Sequence, residues 1–250
     1  MKTSTRNALR KYVPMRLRRI YRRYISPVVR DEYHAEFAAR KAFFERAFSA
    51  LSFNGIDGDY VEFGCCGGMT FGLAYRYSRK QSLFCKLWAF DSFCGLPPQV
   101  KPADEHPAWI QGTMSMQVDE FKKACRENGI PQSDFEVVVG YYEEALFGPH
   151  GNELPTNICL AYVDCDLYSS AKTVLEFLMP RLKHGMIIAF DDYYCWSATQ
   201  VSGERKACAE FFRDSEDWVL VPFLQYGGGG GGMSFVVENK RLGGTSGSCY

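Results

Sequence analysis

Acidic residues recur at one kind of place in this chain, directly after short, β-prone apolar runs. Glu62-Phe63-Gly64-Cys65-Cys66-Gly67-Gly68-Met69-Thr70 closes the first run, Asp91-Ser92 the second, Asp164-Cys165-Asp166 a later one and Asp191-Asp192 the one after it. Asp164, Asp191 and Asp192 form the sharpest constellation. On neighbouring parallel strands their ends would converge, and carboxylates gathered in one cleft repel each other unless a hard cation such as Mg2+ takes them as oxygen ligands. A cation so held orients a hydroxyl group and lowers its pKa, and a nearby carboxylate then accepts the proton. Asp166 has a blander reading, as a cap for the helix that begins near Ser169.

The glycines point to a second ligand. Gly64, Gly67 and Gly68 let backbone approach a bound group closely, and the helix that follows directs free N–H groups toward it. The spacing is not Gly-x-Gly-x-x-Gly, which weakens a dinucleotide reading. A glycine-rich first turn paired with an acid at the end of the second strand suits a nucleoside, whose ribose hydroxyls would donate to Asp91.

The elements that must hold these residues follow from periodicity. Residues 31–52 place Ala35, Ala38, Ala42, Phe43, Ala47, Phe48 and Leu51 near one helical face, with Asn54-Gly55 as the stop. Strands are predicted at 59–63, 83–90, 135–139, 158–164 and 186–190, and helices at 70–78, 118–127, 142–146 and 169–182, the last capped by Ser169. Alternation at this spacing implies parallel βαβ units with helices on both faces, and ligands then bind at the carboxyl ends of the strands. A helix at 203–212 and strands at 218–223 and 233–238 follow, the last two joined through six consecutive glycines, 227–232, read as a hairpin connection.

Composition bounds the rest. The 250 residues, 46% of them hydrophobic, suit one domain with elaborated ends. We expect a basic helical arm at 1–30, a leading amphipathic helix at 31–54, the main domain at 55–241 and a disordered tail at 242–250. Neither a long apolar run nor a signal-like apolar segment is evident, so the expected compartment is the cytoplasm. Ten scattered cysteines without a Cys-x-x-Cys pair read as reduced thiols, and four scattered histidines leave a zinc site poorly supported. Residues 1–30 carry ten Lys or Arg and no acid, which leaves 19 bases against 29 acids in the body. Such an arm suits a membrane surface, its own acidic body or a second subunit, the last two being favoured, and no nucleic-acid partner is expected. His106, His150, Tyr193, Tyr194 and Trp196 lie where they would wall or cover the cleft, or else pack or face solvent.

The strings YVEFGCCGGMTF, FDSFCGLP, VDCDLYSSAKTVLEFLMPRLKHGMIIAFDDY and GERKACAEFF resemble the TylF-type macrocin O-methyltransferases over about residues 58–212. The resemblance implies a Rossmann-like α/β fold, a mostly parallel seven-stranded sheet with helices on both faces and an antiparallel last strand. It further implies S-adenosylmethionine as methyl donor, Mg2+ or another hard divalent cation, and a sugar hydroxyl of a small-molecule glycoside as acceptor. Carried over residue by residue, it implies that Glu62, Gly64 and Gly68 shape the methionine pocket, that Asp91 and Ser92 hold the ribose, and that Gly140 and Tyr141 border the adenine; Thr70, which follows the glycine turn, is counted with the cofactor-binding residues. It makes Asp164, Asp191 and Asp192 the metal ligands, and of these we take Asp164 as the nearest candidate for the general base. Cys165, Ser169-Ser170-Ala171 and the hexaglycine run depart from the family pattern and bear on substrate choice. Two other classes stay in view: a non-catalytic binding module that kept this fold, and an NAD(P)-dependent oxidoreductase.

Overall fold

The computed structural model describes residues 27–99, 101–148, 154–228 and 231–242. Residues 1–26 of the basic arm, nearly all of the tail, His150 and Gly229-Gly230 lie outside the described residues. The elements, in chain order, are α1 (Pro27–Phe53), β1 (Asp59–Phe63), α2 (Met69–Lys80), β2 (Leu87–Asp91), α3 (Val118–Glu127), β3 (Phe135–Val139), α4 (Tyr142–Phe147) and β4 (Ile158–Val163). After these come α5 (Tyr168–Leu178), β5 (Ile187–Phe190), α6 (Gly203–Arg213), β6 (Trp218–Tyr226) and β7 (Gly232–Asn239).

They build one seven-stranded sheet in the order β3-β2-β1-β4-β5-β7-β6. Strands β1 to β5 run parallel, and β7 is antiparallel to both β5 and β6. The chain reverses its direction of winding between β1 and β4, and a crevice opens at the carboxyl ends of strands at such a point.

The two-residue period of the strands sorts side chains onto two faces. Tyr60, Leu87, Ala89, Leu160, Tyr162, Ile187 and Ala189 join α1, α2 and α3 in one core. Val61, Phe63, Trp88, Phe90, Ala161, Val163, Ile188 and Phe190 join α4, α5 and α6 in the other. No disulfide joins the described cysteines to one another. Among the described residues no helix is long and apolar enough to cross a membrane.

Two local expectations are corrected. The buried stripe of α1 is Phe43, Phe44, Ala47, Phe48 and Leu51, while Ala35, Ala38 and Ala42 are exposed. Aromatic volume decides the rotation: Phe43 stacks on Tyr226 at 4.4 Å and Phe44 on Tyr162 at 5.3 Å, and each buried phenyl ring contributes roughly 1.5–3 kcal/mol that an alanine cannot. Ser169 does not cap α5. The cap position is Leu167, without a side-chain bond, and the backbone N–H of Ser169 donates instead to Asp104 Oδ1 at 2.8 Å, from the long loop after β2.

Candidate active site

Four backbone hydrogen bonds prolong the sheet beyond its strands and set the site in a row. Gly140 N donates to Asp91 O (3.0 Å), Gly64 N to Phe90 O (2.9 Å), Asp164 N to Phe63 O (2.8 Å) and Asp191 N to Val163 O (2.9 Å). Asp91, Gly64, Asp164 and Asp191 therefore stand side by side on successive strands, about 4.8 Å apart. Gly64, at φ 91°, sits so close to its neighbour that a Cβ would overlap the carbonyl oxygen of Asp164. Glycine here serves the junction of β1 and β4 at least as much as any ligand.

A cleft of about 500 Å³ opens along this row, lined by Gly64, Cys66, Asp91, Ser92, Gly140, Tyr141, Asp164 and Asp166 among others. Asp91 is fixed at its floor. Its Oδ2 accepts from Cys65 N at 2.7 Å and its Oδ1 from Phe93 N at 2.7 Å. Burial pushes its pKa up, and these two N–H groups oppose that shift. Ser92 Oγ donates to Gly95 O at 3.1 Å, holding the turn that starts the long loop.

Of the residues expected around a cofactor, Gly64, Asp91, Ser92, Gly140 and Tyr141 line this cleft, whereas Glu62, Gly68 and Thr70 do not. Glu62 shares the face of Tyr60 and is wholly buried. It receives the Tyr60 hydroxyl on Oε2 and Thr70 Oγ1 at 2.6 Å on Oε1. The pair pins the end of β1 to the first turn of α2. Gly68 caps α2 in the left-handed region and faces Phe121 and Ala124 of α3.

Burial drives the Glu62 carboxyl up to about 8, against the two hydrogen bonds that favour its charge. A folded pKa raised above 4.5 means that Glu62 keeps a proton which the unfolded chain releases. Its contribution is full below pH 4.5 and fades as pH climbs to about 8, with a slope of up to about 1.4 kcal/mol per pH unit. Glu62→Gln should flatten the fall in urea-unfolding stability between pH 5.5 and 8 relative to wild type, and equal slopes in the two proteins would refute this assignment.

Three carboxylates meet at the end of the row. Oxygens of Asp164, Asp166 and Asp192 all lie within 4.8 Å of one another. Burial raises the pKa of each, and mutual repulsion adds to it: Asp191 and Asp192 act on Asp164, Asp164 on Asp166, and Asp166 on Asp192. Within the set expected from sequence, Asp164 and Asp192 are brought together. Asp191 makes its contacts elsewhere, in the turn that follows β5 at Phe190. It continues the face of Tyr162 and Ala189, toward α1. There Arg40 grips it with two bonds, Nε to Oδ1 at 3.1 Å and Nη2 to Oδ2 at 2.6 Å, and the Tyr162 hydroxyl donates to Oδ1 as well. Asp166 fills the third place. It makes no helix cap, and its φ of 61° is one of the left-handed conformations that aspartate tolerates.

Two further residues organise the cluster. Glu204, wholly buried in the first turn of α6, accepts from Cys165 N at 3.0 Å and from Asp192 N at 2.9 Å, so one carboxylate braces the loops after β4 and β5. Ser202 caps α6 and donates its hydroxyl to Asp192 O at 2.6 Å. Arg40 and Glu204 both carried a sequence signal. Arg40 interrupts an apolar stripe with Phe37, Phe44, Phe48 and Leu51, and Glu204 shares the buried face of Ala207 and Cys208. A charge at a core position of an amphipathic helix must have a partner.

The loops after β2 and β5 meet beyond the cluster. His106 Nε2 lies 3.4 Å from Trp196 O and 3.8 Å from Cys195 Sγ, and a second cleft of about 530 Å³ runs between Gln99, Glu105, His106 and Pro107 on one side and Ser197, Ala198 and Thr199 on the other. Tyr193 packs against Phe190 and Phe235, whereas Trp196 is 58% exposed.

The profile described as Macrocin-O-methyltransferase (TylF) matches residues 37–216. A curated relative from Streptomyces olivaceus, 8-demethyl-8-(2,3-dimethoxy-alpha-L-rhamnosyl)-tetracenomycin-C 4'-O-methyltransferase, is 27% identical over 149 residues, 56% of this chain and 54% of its own. The chain thus spans about half the length of that relative. Among solved structures, the O-methyltransferase NovP superposes with a TM-score of 0.65 at 20% identity, over 79% of each chain. CalS11, a calicheamicin methyltransferase, gives 0.61 at 20% identity over 94% of this chain and 91% of its own. At such identities the likeness establishes the Rossmann-like methyltransferase fold.

Proposed function

The chain belongs to the macrocin O-methyltransferase (TylF) family, and from that premise we propose that it transfers a methyl group from S-adenosylmethionine to a sugar hydroxyl of a small-molecule glycoside, assisted by a divalent cation. One observation carries the reading. One cleft is lined both by Asp91 and by Asp164 and Asp166, two members of the carboxylate cluster.

In this reading Asp91 and Ser92 receive the ribose, Gly140 and Tyr141 border the base, and Gly64 leaves the backbone open at the centre. Glu62, Gly68 and Thr70 act from behind, by fixing the turn. When bound, S-adenosylmethionine supplies an electrophilic methyl carbon on a sulfonium, whose C–S bond breaks as the acceptor oxygen bonds to carbon. The acidic cluster fits a hard cation by its chemistry: three carboxylates whose buried charges repel, with oxygen donors only. Asp164, Asp166 and Asp192 would hold the ion, which would lower the pKa of a hydroxyl beside it. Asp164 faces the cofactor cleft from the end of β4 and takes the hydroxyl proton. The acceptor enters where the loops after β2 and β5 meet, past His106 and the exposed ring of Trp196, a surface suited to the apolar face of a sugar.

Mass spectrometry after incubation with S-adenosylmethionine, Mg2+ and a panel of rhamnosides, other glycosides and catechols tests this directly. A gain of one methyl on a glycoside is expected, with loss of turnover in excess EDTA. Full activity in EDTA would remove the cation from the reading, and calorimetry with no cofactor binding at millimolar ligand would favour a non-catalytic module.

A further inference from the structure

The loop after β2, residues 92–99 and 101–117, forms one wall of the cleft through Leu96, Pro98, Lys101 and Met114, and the first turn of α5 forms part of another through Ser169 and Ser170. The loop is built as one body. Leu96 N donates to Thr113 O and Gly112 N to Leu96 O, both at 2.9 Å, and a Cβ on Gly95 would meet Thr113 O at 2.5 Å, so the two ends of the loop are drawn tightly together. Across its middle, Gln99 Nε2 donates to Trp109 O at 2.7 Å and to His106 O at 3.3 Å. A body held at its base needs a further tie to keep a fixed distance from the facing wall. Asp104 supplies one: it is 2% exposed, and its Oδ1 accepts from Ser169 N at 2.8 Å.

The N–H groups in the first turn of a helix have no intrahelical partner, and the cap position of α5, Leu167, offers no side-chain bond. Asp104 does from 65 residues away what a local Ser or Asp does for most helices. Its other oxygen, Oδ2, is buried without a hydrogen-bond partner among the described residues, a penalty that a local cap in contact with water avoids. Capping α5 by itself does not call for a carboxylate sunk this deep, whereas joining two walls of a cleft does. We infer that Asp104 is a positioning residue that fixes the loop after β2 against the start of α5 and thereby sets how long the cleft retains its cofactor. The inference rests on the cofactor reading above.

Asp104→Ala cuts the tie and leaves the residues assigned to ribose and base untouched. Stopped-flow displacement of S-adenosylhomocysteine should then show dissociation about 10-fold faster than from wild type, or more. Hydrogen exchange on the ligand-free variant should rise about 10-fold or more in residues 93–99 and 101–113, while strands β1, β4 and β5 stay within about 2-fold of wild type. Asp104→Asn keeps an oxygen for Ser169 N and should return both readings to within about 3-fold of wild type. If the alanine variant does not fold, Asp104→Ser, whose hydroxyl is one bond shorter than the carboxylate, takes its place with the same outcomes. A cut variant that releases S-adenosylhomocysteine within about 2-fold of the wild-type rate overturns the inference. So does exchange that rises equally in loop and strands, the mark of a cap that only stabilises the fold. A wild-type chain that binds no S-adenosylhomocysteine removes the cofactor reading first, and this inference with it.

Discussion

Asp166→Asn is expected to lower kcat/KM by at least about 100-fold while leaving affinity for S-adenosylhomocysteine within about 3-fold of wild type. The substitution keeps volume and removes one of three charges whose oxygens lie within 4.8 Å of each other. The lost charge should weaken the hold on the cation and with it the activation of the acceptor hydroxyl. The cofactor should notice little, because the residues assigned to ribose and base lie further along the row, at Asp91, Ser92, Gly140 and Tyr141. Steady-state kinetics and calorimetry on one preparation separate the two effects. An active Asp166→Asn enzyme, within about 3-fold of wild type, would return Asp166 to a supporting role and reopen the cluster to Asp191.

That contest between Asp166 and Asp191 marks where the sequence stops being sufficient. The strands β1 and β3 and the helix α3 are readable to the residue, because compact apolar runs bounded by glycine, proline and polar turns leave little freedom in register. The same periodicity brings Asp91, Gly64 and Asp164 into one row, since each directly ends or follows its strand. Asp191-Asp192 is harder. Both residues lie in the turn after β5, which ends at Phe190, so no strand period orients them and which side chain meets the cluster depends on what waits on each side. Arg40 waits on the α1 side, 151 residues away in sequence. The loop after β4 supplies Asp166 only because the backbone turns into the left-handed region there, a conformation that no local glycine announces.

The long-range partners were legible in principle as charges on buried helical faces, but only their existence, not their targets. Arg40 interrupts the stripe of Phe37, Phe44, Phe48 and Leu51, which signals a buried acid without naming it. Glu204 shares a face with Ala207 and Cys208, yet no pattern in the chain says that its acceptors must serve two backbone N–H groups on different loops. Pairings of this kind are set by how α1 and α6 seat on the sheet, and seating is a property of packing volume. The α1 stripe illustrates it: alanines share the helical period, but phenylalanines win the core.

Glu204→Ala should destabilise the fold and disable the site together. The carboxylate accepts from Cys165 N and Asp192 N at 3.0 and 2.9 Å and is wholly buried. Alanine strands both donors, at about 1–3 kcal/mol each, so unfolding free energy should fall by roughly 2–6 kcal/mol. Those two N–H groups belong to the residues beside and within the carboxylate cluster, so the loops that carry Asp164, Asp166 and Asp192 lose their common brace. Activity should accordingly drop by about 100-fold or more even at temperatures where the variant remains folded. Glu204→Gln separates the two contributions. Its amide oxygen still accepts from one loop while its NH2 opposes the other donor, so stability should lie between wild type and alanine. Urea unfolding and kinetics at 15 °C on all three proteins decide the matter. An alanine variant within about 1 kcal/mol of wild type would mean that water or a shifted loop satisfies both donors, and that the cluster is held together by its own strand ends alone.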